Sequence, residues 1–198
     1  EGFAHNPNPK LIVEKLGENF KIDTASLKKW SVGSPIQSMM DAIEYLLKNN
    51  KFDHKDITEL VVDIPSDRYH IVNDRKILSI SAQHLIAVHL IKKKMGYVEA
   101  HDEKLFDDPE VVSLRKKIKA VSSDELAIAR PERQSKIRIK FSNNKELFYH
   151  AKSVRGTPDN PMDEKDIVAK SKRLLEVFKT SQTEDLIDLI LHKNFTVN

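Results

Sequence analysis

The stretch "SKIRIKFSNNKELFYHAKSV", residues 135–154, decides the architecture. In its first part Ile137, Ile139 and Phe141 fall on one side of an extended chain, and Lys136, Arg138 and Lys140 on the other. That period of two is what a half-buried strand requires. Residues 145–154 are strand-like again, and Asn143-Asn144 between them predicts a two-residue hairpin turn. A hairpin makes at least one strand pair antiparallel. Since strands alternate with helices elsewhere, the expected fold is α+β, with a mixed or antiparallel sheet covered by helices in two layers.

Working outward, "VRGTPDNPMDEKDIVAK" (154–170) follows the hairpin with one glycine, two prolines and then a charged amphipathic pattern. Pro158 and Pro161 fix two φ angles, and Gly156 permits a backbone geometry closed to other residues. Asp163 is placed to cap the helix that follows. This predicts an ordered joint into helices over 163–178 and 182–192. Upstream, 107–119 reads as a helix with Pro109 near its first position, and 81–95 as a deeply packed helix capped by Ser81 and ended by Gly96. Residues 57–64 read as a buried strand stopping at Pro65, and 35–48 as a helix with Pro35 in its first turn. Residues 18–22 look extended, and 10–16 form a short helix that Gly17 can end.

Hydrophobic content of 39% beside 32% charge describes an ordinary globular chain. No apolar run approaches the roughly 20 residues needed to span a bilayer, and no signal peptide is evident, so a cytoplasmic location without membrane contact is expected. Cysteine is absent. A thiolate nucleophile, cysteine-bound zinc and a cysteine-held iron–sulfur cluster are thereby excluded within the chain. The net charge of +3, from 33 basic and 30 acidic residues, is too balanced to indicate nucleic acid.

His84 and His89 are five apart, wrong for one helix face, and HExxH is missing, so no metal site is expected. Gly-rich phosphate loops and the GxSxG elbow are missing too. The Lys136, Arg138 and Lys140 stripe reads as a solvated strand face that discourages edge pairing, with RNA binding as its rival. More pointed is Lys28-Lys29-Trp30, which precedes Gly33, Ser34 and Pro35 at the start of a buried helix. A lysine beside a helix N-terminus suits a carboxylate.

These stretches together resemble the MmgE/PrpD family, which includes 2-methylcitrate dehydratase, cis-aconitate decarboxylase and iminodisuccinate epimerase. The resemblance rests on Lys28, Trp30 and "SPIQSMMDAIEYL" with Asp41-Ala42, on Ala82-Gln83 in "SAQHLIAVHL", and on "LFDDPEVVSLRKKIKAV". It also rests on the Gly-x-Pro-x-Asn-Pro loop in 154–170 with the helix lysine, here Lys170. The family places a histidine nine residues after the motif lysine, where this chain has Gln37, and a tyrosine near Ala87 or Val88. Gln37 can hydrogen-bond but cannot shuttle a proton near neutral pH.

The resemblance implies the C-terminal portion of such a protein: residues 1–16 as a connecting helix from a missing N-terminal helical domain, 17–161 as a lid domain, and 162–198 as helices returning to that domain. It implies a metal-independent dehydratase of propionate metabolism acting on a small polycarboxylate such as 2-methylcitrate, without cofactor and as a homodimer. A decarboxylase or epimerase of the same family remains open, as does a non-catalytic binding or assembly domain. Candidate substrate contacts are Lys28 as a carboxylate clamp, Gln37 at the helix start, and Arg155. The catalytic base is assigned to the missing domain, and the isolated chain is expected to be inactive.

Overall fold

The computed structural model describes residues 8–18, 20–178 and 182–192. The first seven residues of the expected connecting helix lie outside that set. Four strands, β1 (Ile57–Pro65), β2 (Ile118–Ser123), β3 (Ser135–Phe141) and β4 (Glu146–Ala151), form one sheet in the order β2-β1-β3-β4. β1 pairs parallel with β2 and antiparallel with β3, which pairs antiparallel with β4. The fold is therefore α+β with a mixed sheet. Eight helices accompany it among the described residues: α1 (Gln37–Asn49), α2 (Ser66–Val72), α3 (Ala82–Lys92), α4 (Tyr97–His101), α5 (Pro109–Arg115), α6 (Asp124–Ile128), α7 (Glu164–Leu175) and α8 (Thr183–His192). None of these is long and apolar enough to cross a membrane.

The register explains the two faces. Leu60 lies between Ile118 and Ile139, and Val62 between Ala120 and Ile137, so one face is apolar across all four strands. α1 packs on β3 and β4, and α3 on β2, which buries Met39, Met40, Ile43, Leu85 and Ile86 completely. On the opposite face Arg138 meets Asp63 at 3.1 Å and Lys136 meets Glu125 at 2.7 Å, while Lys140 lies 3.7 Å from Glu146. The basic stripe is thus matched by carboxylates. β3 is interior to the sheet, so protecting an edge is not the stripe's role.

Several boundaries depart from expectation. The segment 10–16 is a 3-10 turn at Pro9–Ile12 followed by loose turns, with Gly17 left-handed at φ +86. Residues 21–24 form another 3-10 turn where extended chain was expected. α3 ends because Lys93 turns left-handed at φ 53, and Gly96 instead heads α4, its N–H donating to Glu99 Oε2 at 2.9 Å. The 107–119 helix stops at Arg115, and its tail enters β2. The hairpin loop has three residues: Asn144 N donates to Phe141 O at 3.0 Å with Asn144 at φ 61, the turn-plus-bulge form.

Candidate functional site

Three segments meet in a knot beside Trp30: the loop 27–36, the first turns of α1, and the 154–166 connection. Gln37 opens α1 and is only 1% exposed. Its Oε1 accepts from Trp30 N at 3.1 Å, and its Nε2 donates to Trp30 O at 2.9 Å and Val32 O at 3.1 Å. A glutamine carries both an acceptor and two donors, and here all are spent on loop backbone.

One helical turn on, Asp41 ties two segments together. It accepts from Trp30 Nε1 at 2.7 Å and from the Arg155 backbone N at 2.9 Å. Burial pushes its carboxyl above the usual range, against the pull of those two bonds and of the Lys29 charge. Lys29 itself pairs with Glu44 at 2.5 Å and lies 4.7 Å from the Trp30 ring centre.

The 154–166 connection is ordered, as its prolines and glycine predict. Gly156 has φ +95, and a Cβ there would stand 1.8 Å from Leu27 O. The space is taken because Leu27 N donates to Gly156 O at 2.7 Å, while Gly156 N donates to Asn160 O at 2.7 Å. Asp163 caps α7 by accepting from Asp166 N at 2.9 Å. The first and last segments of the domain are therefore bonded to each other, and Lys170 of α7 adds a bond from its ammonium to Lys28 O. Burial lowers the Lys170 pKa, with the Lys28 and Arg173 charges adding to it.

The three residues singled out from the sequence share this knot but face differently. Lys28 is exposed, its Nζ 3.4 Å from Val32 O. Gln37 points inward. Arg155 lines a cleft of about 480 Å³ with Asp41, Tyr45, Tyr149 and Asp166. Its Nε donates to Asp166 Oδ2 at 2.7 Å and its Nη1 to Asn160 Oδ1 at 3.0 Å. Burial pushes the Asp166 carboxyl up, yet the Arg155 bonds and charge outweigh that and hold it below its ordinary value. Arg155 is thus already matched by an acid, whereas Lys28, which donates to Val32 O, has no carboxylate partner among the described residues.

Asp41 and Asp166 were not among the sequence candidates. A buried tryptophan needs a partner for its N–H, and Asp41 lies four residues after Gln37 on the same helix face. That pairing was the readable signal. Asp166 carried none, because only the turn at Gly156 brings Arg155 onto it.

These features define an α+β domain whose first and last segments are fastened together beside one buried tryptophan. The family model of the MmgE/PrpD C-terminal domain matches residues 30–194, so the chain belongs to the MmgE/PrpD family and represents its C-terminal domain. No curated protein matches the chain.

Proposed function

We propose that this chain is the substrate-holding C-terminal part of an MmgE/PrpD-like lyase, working against a helical domain on a small polycarboxylate of the 2-methylcitrate kind. The observation that carries this reading is the apolar surface displayed by both fastened arms. Leu16, Phe20 and Ile22 before the knot are 78%, 61% and 77% exposed, and Phe178 and Ile190 after it are 76% and 59%. Concentrated exposure of this kind marks a surface that another body covers, and the arms bracket the knot that carries Lys28.

Loss of water beside a carboxylate needs a base, an acid for the departing hydroxyl and cations for the acid groups. Lys28 supplies a cation. Gln37 holds the Trp30–Val32 backbone so that the Lys28 stem leaves in one direction. The base and acid are assigned to the helical domain. The sealed state of Gln37, where the family carries a histidine, favours a second reading, a binding or assembly domain without chemistry.

Two measurements separate these. Lys28→Met in the full-length protein should weaken citrate binding by at least about tenfold in calorimetry, the order expected of a charge-assisted contact, with little change in melting temperature. Unchanged affinity rejects the clamp. Turnover of 2-methylcitrate by the isolated chain at about 1 s⁻¹, the low end for enzymes, overturns the assignment of base and acid elsewhere.

A further inference from the structure

A second cleft, of about 450 Å³, opens at the C-terminal ends of α1 and α3. None of Lys28, Gln37 and Arg155 lines it. Its floor is aromatic, formed by Trp30, Phe52 and His89, with the Trp30 and His89 ring centres 5.3 Å apart. Its rim is cationic. Lys48 and Lys94 are matched by Glu44 at 3.1 Å and Glu99 at 2.7 Å. Lys51, Lys93 and Arg173 also border it, and among the described residues none of these three is in a salt bridge.

The C-terminal dipoles of α1 and α3 account for cations at Lys51 and Lys93. Arg173 comes from the last turn of α7, where that helix's own dipole suits a cation; it spends its Nε on Ala169 O at 3.2 Å and holds its Cζ 5.9 Å from the Trp30 ring centre. Helix dipoles do not account for His89. That imidazole is 2% exposed, and its Nδ1 is sealed from solvent with no hydrogen-bond partner among the described residues. Buried polar atoms are nearly always partnered, so an orphan beside a cleft is a place where a partner can be gained if the lining shifts.

We propose that this cleft binds an organic anion with a flat apolar body, the body resting against Leu47, Phe52 and the edges of Trp30 and His89 and the acidic group meeting Lys51, Lys93 and Arg173. The aromatic floor favours such a body over a bare inorganic ion, because stacking and apolar burial add to the charge contact. Burial depresses the His89 pKa to about 4, so the ring beside the ligand is a neutral imidazole. This site and the Lys28 site stand or fall separately.

Trp30 is the single tryptophan of the chain, so its emission reports occupancy. The 198-residue chain is titrated with phenyl phosphate, benzoate and inorganic phosphate, with calorimetry as a second readout. The expected result is saturable binding of both aryl anions, at least about tenfold weaker binding of inorganic phosphate, and an at least tenfold loss in the Lys51→Gln/Lys93→Gln double variant. Both lysines are exposed, so that variant keeps its fold. Absence of saturable aryl-anion binding overturns the proposal. So does equal affinity for inorganic phosphate, or a double variant that binds as well as the parent.

Discussion

Helices α3 and α8 are both rich in apolar residues, yet their fates differ. Every residue from Ala82 to Leu90 in α3 is buried, histidines included, whereas α8 buries Ile187 alone and leaves Leu186, Leu189, Ile190 and Leu191 well exposed. The difference lies in what surrounds them. α3 is packed against α1, α4, α5 and β2, while α8 touches chiefly α7, itself without a buried residue. Apolar composition says that a helix wants cover, and only the neighbours decide whether it gets it. The contrast divides the molecule into a closed body around α1, α3 and the knot, and a pair of arms.

The largest expected effect lies where the body fastens its arms. Gly156→Ala should cost at least about 4 kcal/mol in urea unfolding, in the range reserved for a forced structural change. The new Cβ would collide with Leu27 O, and a positive φ adds strain. A cost below about 0.5 kcal/mol would show that the knot is slack and that body and arms are not distinct.

Next comes acid. Burial holds both α3 histidines down to about 4, from an ordinary 6.5, with the Arg115 charge adding at His84. Their folded pKa lies below the unfolded one, so the unfolded chain takes up more protons between those values. Stability is therefore full above pH 6.5 and falls as pH drops toward 4, by roughly 3 kcal/mol for each histidine. Glu44 and Asp166, held low by Lys29 and Arg155 against their burial, lose stability in the same direction, and Asp41, raised by burial, works against it. Comparison with His89→Phe isolates one histidine's share. If the slope between pH 6.5 and 4 is the same in parent and variant, α3 is not closed.

A smaller effect tests the loop clamp. Gln37→Leu keeps the bulk of the side chain but strands Trp30 N, Trp30 O and Val32 O in a buried place. A loss of about 2 kcal/mol is expected, with a change in Trp30 emission. Neutral behaviour would mean that water or a shifted loop replaces the glutamine, and that its inward pose is not structural.

How much of this was legible in sequence follows the same division. The α1 pattern and the alternation of β3 were plain because both elements have one fully buried face, which imprints its period on the residues. The first two residues of β2 were read as a helix tail and the rest as no element, since it is an edge strand whose only buried residue is Ile118. A strand paired on one side and covered unevenly leaves little periodicity to read. Lys28, Gln37 and Arg155 could be picked out, yet their orientations could not. Gln37 and Lys28 are turned by backbone groups of the folded 30–32 loop, and Arg155 by Asp41 and Asp166, two carboxylates it meets across the contact between Leu27 and Gly156. The C-terminal end of α3 was misplaced because a lysine took the left-handed position that a glycine three residues later was expected to fill.

The smallest effect sharpens the contrast most directly. Ile190→Ser removes a large apolar side chain from α8, and in a buried helix such a change would cost several kcal/mol through lost transfer energy and a cavity. At 59% exposure Ile190 has little burial to lose within this chain. Ile167, Leu174 and Ile187 line the α7–α8 groove with it, and Ile187 is the buried one of the α8 pair. We therefore expect a change within about 0.5 kcal/mol in the isolated chain. A loss above about 2 kcal/mol would mean that α8 is packed as part of the body, and the arm reading would fail. The informative extension is the same substitution in a chain that also carries the proposed helical domain. There Ile190→Ser should lower the melting temperature if a helical domain covers the arm, whereas an effect equally small in both contexts would leave the exposed face unexplained by docking.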